Sequence, residues 1–479
     1  MNKTFFSNLF LLLLLNVLVK PFFILGIDAE VQNQVGAAEY GDYFALLNFS
    51  FLFNILLDFG ITNYNTRNIA RNPNVIKSYL GPIVGLRTML FLIYAVFTFS
   101  FGIIIGYSDK QLYLVSILIL NQFFVAALQY FRSNFTGLHL FKLDAFFSIL
   151  DRVLLIGICS WLLWGRSSGT PFQIEWFVWA QTATYAFAAL LALIVTYYKV
   201  GASKLQLKTL FSFVMLRQSF PYALLILLMM IYNRMDSVML ERIHVNGAVE
   251  AGVYAQGYRL LDAVNMFALL FAGLLLPIFS RMIAKKENLS SLLTNSGLVL
   301  ITISTIVAIG GVFYAQEIIS SRYVAYVHES SSSFKILILS FVPVSLTYIY
   351  GTLLTASGNL KRLNQMAFAG LVLNFCLNYF LIPIYGAWGA AIATLATQLL
   401  TALIQLILAF QLLKLTVKFN ALTKYFLFVV ICYGVFLIAT PLLKGIFGFV
   451  SIAFISFVIA MSIGAIPVKK AFKQLTNKI

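Results

Sequence analysis

Hydrophobic residues in this chain form long runs, and short polar stretches separate them. About 20 consecutive apolar residues are enough to cross a lipid bilayer as a helix. By this measure the pattern predicts fourteen spans, at roughly 5–26, 41–63, 80–106, 111–131, 143–164, 173–197, 212–240, 252–280, 291–314, 335–357, 364–384, 387–412, 422–442 and 446–466. The polar stretches between them are too short for a soluble domain. We therefore predict an all-α integral membrane protein of about fourteen transmembrane helices.

A motif near the start of the second span occurs again near the start of the eighth. The segment Gly36–Arg71 begins GAAEYGDY, the segment Gly247–Arg281 begins GAVEAGVY, and each continues into an apolar run. A motif that recurs with the same hydropathy profile indicates a duplicated half. We predict two pseudo-symmetric six-helix lobes, residues 1–200 and 201–415, followed by two additional helices and a cytoplasmic tail in residues 416–479. The natural place for a ligand is the cleft between the lobes.

The charged residues fit this membrane topology. Only 10% of the chain is charged, whereas about a quarter of a soluble domain is. A net charge of +17 would ordinarily suggest a nucleic-acid partner, but 21 of the 33 Lys and Arg residues fall in loops on one side of the predicted membrane, and 6 fall on the other. Because basic loops stay on the cytoplasmic side, we predict cytoplasmic termini and no nucleic-acid partner.

Several charged residues lie inside the predicted spans. An ionisable group in mid-bilayer costs about 2.5–3.5 kcal/mol and usually faces a wet cavity or a partner. Lys20, Arg234 and Arg259 fall in the outer half, and a cationic cleft of this kind suits a phosphate-bearing substrate. The spans of the second half also carry Asp236 and Asp262. Pro21 is expected to break the first helix directly after Lys20.

A second tier of charges is predicted in the inner half of the first lobe. It consists of Asp58, Arg87, Asp151 and Arg152. Adjacent residues of a helix point to different faces, so Asp151 and Arg152 should each need a partner elsewhere. By the same rule Arg259 and Asp262, three positions apart, share a face and can pair. The alternative for every acid is a structural ion pair between helices.

Nothing in the sequence indicates an enzyme. The chain has no H-E-x-x-H spacing, no phosphate-binding G-x-x-x-x-G-K-[ST] and no defensible Ser/His/Asp set. We expect no catalytic residue, metal or cofactor.

Three further motifs carry a family resemblance. Asp58–Gly60 reads DFG, Asn233–Leu240 reads NRMDSVML, and Tyr385–Thr394 reads YGAWGAAIAT. In this order and spacing they resemble the polysaccharide repeat-unit (O-antigen type) flippases of the multidrug/oligosaccharidyl-lipid/polysaccharide exporter superfamily.

The resemblance implies a flippase that carries polyprenyl-diphosphate-linked oligosaccharide from the cytoplasmic to the outer leaflet, for surface polysaccharide or lipopolysaccharide assembly. It further implies alternating access driven by ions or by the membrane potential, in a cavity lined by spans one, two, seven and eight. Lys20, Arg234 and Arg259 would then bind the diphosphate. Asp58, Asp236 and Asp262 would serve ion coupling. The implied setting is a bacterial inner membrane, with membrane lipid, a polysaccharide polymerase and glycosyltransferases as partners.

Three alternatives stay open at this point. A lipid-linked peptidoglycan precursor flippase is favoured by the count of fourteen spans. A cation-coupled multidrug exporter of the same superfamily would favour an acidic, aromatic cavity, whereas the spans here hold more bases than acids. A membrane scaffold or glycan-assembly subunit that does not transport would need no polar cavity.

Overall fold

The computed structural model describes residues 15–16, 18–165, 170–201, 209–413 and 419–466. Throughout these ranges the regular elements are helices, and the prediction of an all-α membrane protein is confirmed. The chain divides into two compact units, Met1–Glu241 and Arg242–Ile479. The lobe boundaries predicted from the repeat stay a prediction.

The first unit is built around a core that several of its helices share. Its elements are a π-helical turn Phe23–Asp28, α1 (Ala29–Leu52), α2 (Ile55–Asp58), α3 (Ile61–Arg71), a 3-10 turn Pro73–Val75, α4 (Ile76–Ile104), α5 (Asp109–Gly137), α6 (Phe141–Phe147), α7 (Leu150–Ser160), a second π-helical turn Trp161–Gly165, α8 (Ile174–Val200) and α9 (Thr209–Ile243). Helices α3, α4, α5 and α8 contribute Ile69, Leu86, Phe131 and Ala188 to this core.

The second unit begins within the last turn of α9. Its helices are α10 (Gly247–Ala284), α11 (Ser290–Phe313), α12 (Ala315–Ser320), α13 (Val327–Leu339), α14 (Phe341–Ala356), α15 (Leu360–Leu413), α16 (Phe419–Ala439) and α17 (Gly445–Ile463). Ile306 of α11, Phe436 of α16 and Ile452 of α17 share one buried cluster. The last two helices are therefore packed on α11 as part of this unit.

The observed helices account for spans two to fourteen of the prediction. Eleven helices in the described residues are long and apolar enough to cross a membrane. The longest of them, α15, bends at Gly386, where φ is 53° and ψ is −131°, so it supplies both predicted spans eleven and twelve. Helices α1 to α3 supply span two, and span one begins in residues outside the described ranges.

The predicted break of the first span at Pro21 is wrong. The chain stays helical from Leu18 through Pro21, takes the π-helical turn Phe23–Asp28 and continues into α1. Proline lacks the N–H that the α-helical ladder needs, and a wider π turn absorbs such a defect without ending the helix. The direction changes only at Gly36, where φ is 84° and ψ is 167°. Lys20 therefore lies sixteen residues before the end of its helix, about 24 Å along its axis.

The second span is interrupted where a continuous helix was predicted. Phe59 and Gly60 have positive φ angles of 45° and 81°, so α2 ends at Asp58 and α3 starts in a new direction at Ile61. The Asp58 carboxylate accepts hydrogen bonds from the backbone N–H groups of Gly60 and Thr62, each at 3.1 Å. These bonds satisfy donors that the start of a helix leaves unpaired.

The tyrosines of the duplicated motif make equivalent contacts in the two units. Gln181 Nε2 donates to the hydroxyl of Tyr43 at 2.8 Å, and the Tyr254 and Thr394 hydroxyls lie 2.9 Å apart. Both tyrosines are buried. Each copy of the motif thus joins the second span of its half to the sixth, which supports the duplication.

Candidate functional site

Asp58 and Arg87 form an ion pair between helices of the first unit. One Nη of Arg87 donates to the Asp58 carboxylate, and the other donates to the carbonyl of Ala126 at 2.7 Å. The guanidinium also lies 5.1 Å from the ring centre of Tyr130. These contacts fix the turn between α2 and α3 against α4 and α5. The geometry supports a structural role for both residues, and ion coupling through Asp58 stays a prediction.

Lys20 lies in a different group from the one predicted for it. Its ammonium is within electrostatic range of Arg132, Asp151 and Arg152, which come from α5 and α7. Lys20 therefore lies near charges of the second tier, and its diphosphate contact together with Arg234 and Arg259 stays a prediction. The first helix is longer than predicted, and this brings Lys20 to that group. Lys20 makes no ion pair with any carboxylate in the described ranges.

Arg132 was missed by the sequence, which placed it among the loop bases. It lies within α5, and its Nε donates to Asp144 of α6 at 2.8 Å. The side chain of Arg132 is 25% exposed and that of Asp144 is 9% exposed. No residue of the described ranges accepts a hydrogen bond from either Nη of Arg132. Among the described residues, the forked end of this guanidinium therefore keeps its hydrogen-bond donors unused.

Asp151 and Arg152 contact each other, although adjacent residues of a helix point to different faces. Arg152 Nε lies 3.7 Å from Asp151 Oδ2, since the long arginine side chain can bend back across the face between them. The Arg152 guanidinium also packs on two aromatic rings, at 4.9 Å from Phe23 and 5.4 Å from Tyr185. Cation–π contacts of this kind hold a guanidinium in place without neutralising its charge.

These five residues form what we call the basic cluster, made of Lys20, Arg132, Asp144, Asp151 and Arg152. The basic cluster contains three bases and two carboxylates, and all five lie on segments that the hydropathy places in the membrane. Basic groups inside a bilayer usually lie beside a wet cavity or a counter-ion. The basic cluster is therefore the candidate anion site of the first unit.

The remaining charges of the prediction lie on α9 and α10. Arg234 Nη1 donates to Asn48 Oδ1 at 3.4 Å, and its guanidinium lies 5.5 Å from the ring centre of Phe51. Asp236, two residues on, is only 1% exposed. Arg259 and Asp262 are half-buried on α10 of the second unit. Their grouping with Lys20 in one diphosphate site stays a prediction.

A buried acid in the first helix also escaped the sequence analysis. Asp28 is 2% exposed and accepts a hydrogen bond from the Tyr40 hydroxyl at 2.7 Å. The predicted first span ended before it, so it was assigned to a loop. The second copy of the motif has Ala251 in the position of Tyr40, which makes this bond a feature of the first half only.

Residues 5–283 match the family model described as polysaccharide biosynthesis protein, which is more than half of the chain. The chain belongs to this family. The match confirms the resemblance to polysaccharide flippases of the exporter superfamily. This polysaccharide biosynthesis protein is also 28% identical over 195 residues to an uncharacterized membrane protein of Methanocaldococcus jannaschii. That alignment covers 40% of this chain and 45% of the relative, so the chain spans less than half the length of this curated relative.

Solved structures show the same fold across nearly the whole polysaccharide biosynthesis protein. Lipid II flippase MurJ in an inward closed conformation has a TM-score of 0.72 at 14% identity, covering 98% of this chain and 100% of that one. A transporter of the superfamily from Pyrococcus furiosus, described as having a binding pocket of reverse polarity, has a TM-score of 0.62 at 11% identity, covering 85% and 96%. An inward-facing multidrug transporter of the MATE family gives 0.59 at 12%, covering 84% and 98%. Identities this low show the fold alone, which is that of the superfamily's flippases and exporters.

Proposed function

We propose that this protein is a flippase for polyprenyl-diphosphate-linked oligosaccharide repeat units, which it moves from the cytoplasmic to the outer leaflet for surface polysaccharide or lipopolysaccharide assembly. The observation that carries the proposal is the basic cluster. Its three bases exceed its carboxylates, and the fork of Arg132 has no acceptor among the described residues. A diphosphate supplies the anionic oxygens that such a guanidinium binds best.

The two kinds of base in the basic cluster suit different parts of this task. Arg132 offers a planar pair of donors, which matches two phosphate oxygens. Lys20 is a compact charge on a flexible stem, so it can follow the diphosphate as the ligand moves. Arg234 and Arg259 remain proposed contacts on spans seven and eight. The polyprenyl tail stays in the bilayer, and only the charged head and the sugars need a polar route.

Translocation in this proposal proceeds by alternating access of the two lobes and involves no catalytic reaction. The cycle is driven by ion coupling at Asp58, Asp236 or Asp262, or by the membrane potential. One charge that crosses the field gains about 2.3 kcal/mol per 100 mV, enough to bias such a cycle. We place the protein in a bacterial inner membrane with cytoplasmic termini. The polymerase and the glycosyltransferases of the same assembly route are its proposed partners.

The proposal is tested by the leaflet distribution of lipid-diphosphate-linked oligosaccharide in cells that lack the protein. We expect this lipid to accumulate on the cytoplasmic leaflet. Wild-type protein should restore the outer-leaflet pool, whereas Lys20→Gln and Arg259→Ala should not. Lys20→Arg keeps the charge and should restore it largely. Lys110→Gln removes an exposed base outside the cluster and serves as the matched control.

Other outcomes would redirect the assignment. Normal glycan output from Lys20→Gln and Arg259→Ala, with both proteins inserted at wild-type levels, would remove the diphosphate role of these residues. A defect confined to peptidoglycan precursors would favour the precursor flippase. Unchanged lipid-linked glycan with altered sensitivity to cationic drugs would favour the multidrug exporter.

A further inference from the structure

Two arginines of the first unit differ in which of their nitrogens the protein bonds. Arg87 is 7% exposed, and both of its Nη groups donate to protein acceptors. Arg132 uses Nε alone for Asp144, and its Nη groups donate to no residue of the described ranges. The first arrangement is that of a structural ion pair. The second holds an arginine in position while leaving its fork open.

A ligand phosphate that reaches this fork must come close to a carboxylate. Asp144 Oδ1 lies 2.8 Å from Arg132 Nε, so an oxyanion bound at the two Nη groups lies beside a like charge. The same holds at Arg152, whose Nε is 3.7 Å from Asp151 Oδ2. Like charges held together disfavour binding. The carboxylates therefore oppose any anion that the bases attract.

The segment that carries Asp144 is jointed at both ends. Helix α6 has only seven residues. It follows His139, which has a positive φ of 58°, and it ends at Ser148, whose side chain accepts a hydrogen bond from Asn16 Nδ2 of the first span at 2.9 Å. Asp144 thus sits on a short helix between the end of α5 and the start of α7, where its carboxylate is held beside Arg132.

We propose that Asp144 and Asp151 are resident counter-ions, which occupy Arg132 and Arg152 when no ligand is bound and compete with the diphosphate for them. This inference rests on the proposed function for its ligand. It explains how the basic cluster can both capture and release an anion. A carrier needs an affinity high enough for loading and low enough for release, and the aspartates lower the affinity of bases that would otherwise hold the diphosphate too tightly.

The test measures binding of inorganic pyrophosphate to the full chain in lipid nanodiscs by titration calorimetry. Removing a competing carboxylate should strengthen binding by roughly tenfold in Asp144→Asn, the size of one charge-assisted hydrogen bond. Asp151→Asn should give a smaller gain because its pair is longer. The double variant Arg132→Gln with Asp144→Asn should bind no tighter than wild type. Asp109→Asn, an exposed aspartate at the start of α5, should bind as wild type does.

The outcomes separate this inference from the flippase proposal. Folded Asp144→Asn or Asp151→Asn protein with unchanged or weaker pyrophosphate binding would overturn the counter-ion role, even if wild type flips the lipid. Should Asp144→Asn fail to fold, Asp151→Asn decides the question alone. A raised affinity in the variants, with no lipid translocation by wild type, would refute the flippase and keep the counter-ions. When both proposals hold, Asp144→Asn should bind more tightly and translocate more slowly.

Discussion

The two copies of the duplicated motif use the same glutamate in different ways. Glu39 lies 3.5 Å from Lys110, and this lysine also lies 3.6 Å from Glu175 at the start of α8. In the second copy the Glu250 carboxylate accepts the backbone N–H of Ala387 at 2.7 Å, directly after the bend at Gly386. Both glutamates thus reach the start of the sixth span of their half. One does so through an exposed lysine, and the other through a buried backbone donor.

The different partners of Glu39 and Glu250 indicate that the fold depends on this glutamate mainly in the second half. A bend within a membrane helix frees backbone groups that lipid cannot satisfy, and Glu250 supplies the acceptor that the bend of α15 requires. In the first half α7 and α8 are two separate helices, so Glu39 satisfies no bend and instead forms an ion pair with the exposed Lys110. Such pairs contribute little to stability. The two copies therefore keep the glutamate at the same position, but we expect Glu250 to stabilise the fold more than Glu39 does.

The largest effect is expected at the bend itself. Gly386→Ala forces a side chain into a backbone conformation that only glycine adopts readily, and its Cβ would lie 2.3 Å from Glu250 Oε2. Strain and loss of the Glu250 bond should together cost about 2–6 kcal/mol. Gly36→Ala is the matched control, since it has positive φ but no atom within 4 Å of the new Cβ. It should cost only the strain, about 1–3 kcal/mol. Thermal unfolding of both variants in detergent measures the difference, and equal losses would contradict this account of the bend.

The second largest effect is expected from truncating the two glutamates, which should cost different amounts of stability in the two halves. Glu250→Ala leaves the Ala387 N–H without its acceptor in a buried position, which should cost about 1–3 kcal/mol. Glu39→Ala removes an exposed ion pair and should cost less than about 1 kcal/mol. The loss in Glu39→Ala should vanish in high salt, because salt screens exposed charges. A Glu39→Ala loss as large as that of Glu250→Ala, measured by the same unfolding assay, would mean that the copies are equivalent.

The smallest loss of stability is expected from removing the tyrosine hydroxyls of the motif, and it should be the same in both halves. Tyr43→Phe and Tyr254→Phe each delete one buried hydroxyl that bonds to the sixth span. Each variant should lose about 1 kcal/mol, seen as similar drops in melting temperature. Strongly unequal losses would show that the tyrosine contacts, like those of the glutamates, have diverged.

The sequence predicted the crossing helices well because a bilayer leaves the backbone few alternatives. Every backbone N–H and C=O in lipid must be bonded internally, so a long apolar run becomes a helix. The prediction failed at the end of the first span, where the polar residues Asp28 and Gln32 are each only 2% exposed. These residues stay helical because other helices cover them, and hydropathy does not register such burial.

The misplaced charges follow from that single error and from side-chain length. Ending the first helix early put Lys20 near the outer end, away from Arg132 and Arg152. Arg132 was assigned to a loop because it lies at the edge of an apolar run. The contact between Asp151 and Arg152 depends on how a long side chain bends, which helix geometry alone does not specify. In contrast, the duplicated motif was readable because its glycines mark it directly.

The most direct test of the central claim is translocation of a labelled polyprenyl-diphosphate oligosaccharide by purified protein in liposomes. We predict that wild type moves the label across the bilayer and that Lys20→Arg retains most of this rate. Lys20→Gln should be at least about tenfold slower, since it removes a base that no described carboxylate pairs. Equal rates for wild type and Lys20→Gln, or no translocation by wild type, would contradict the account.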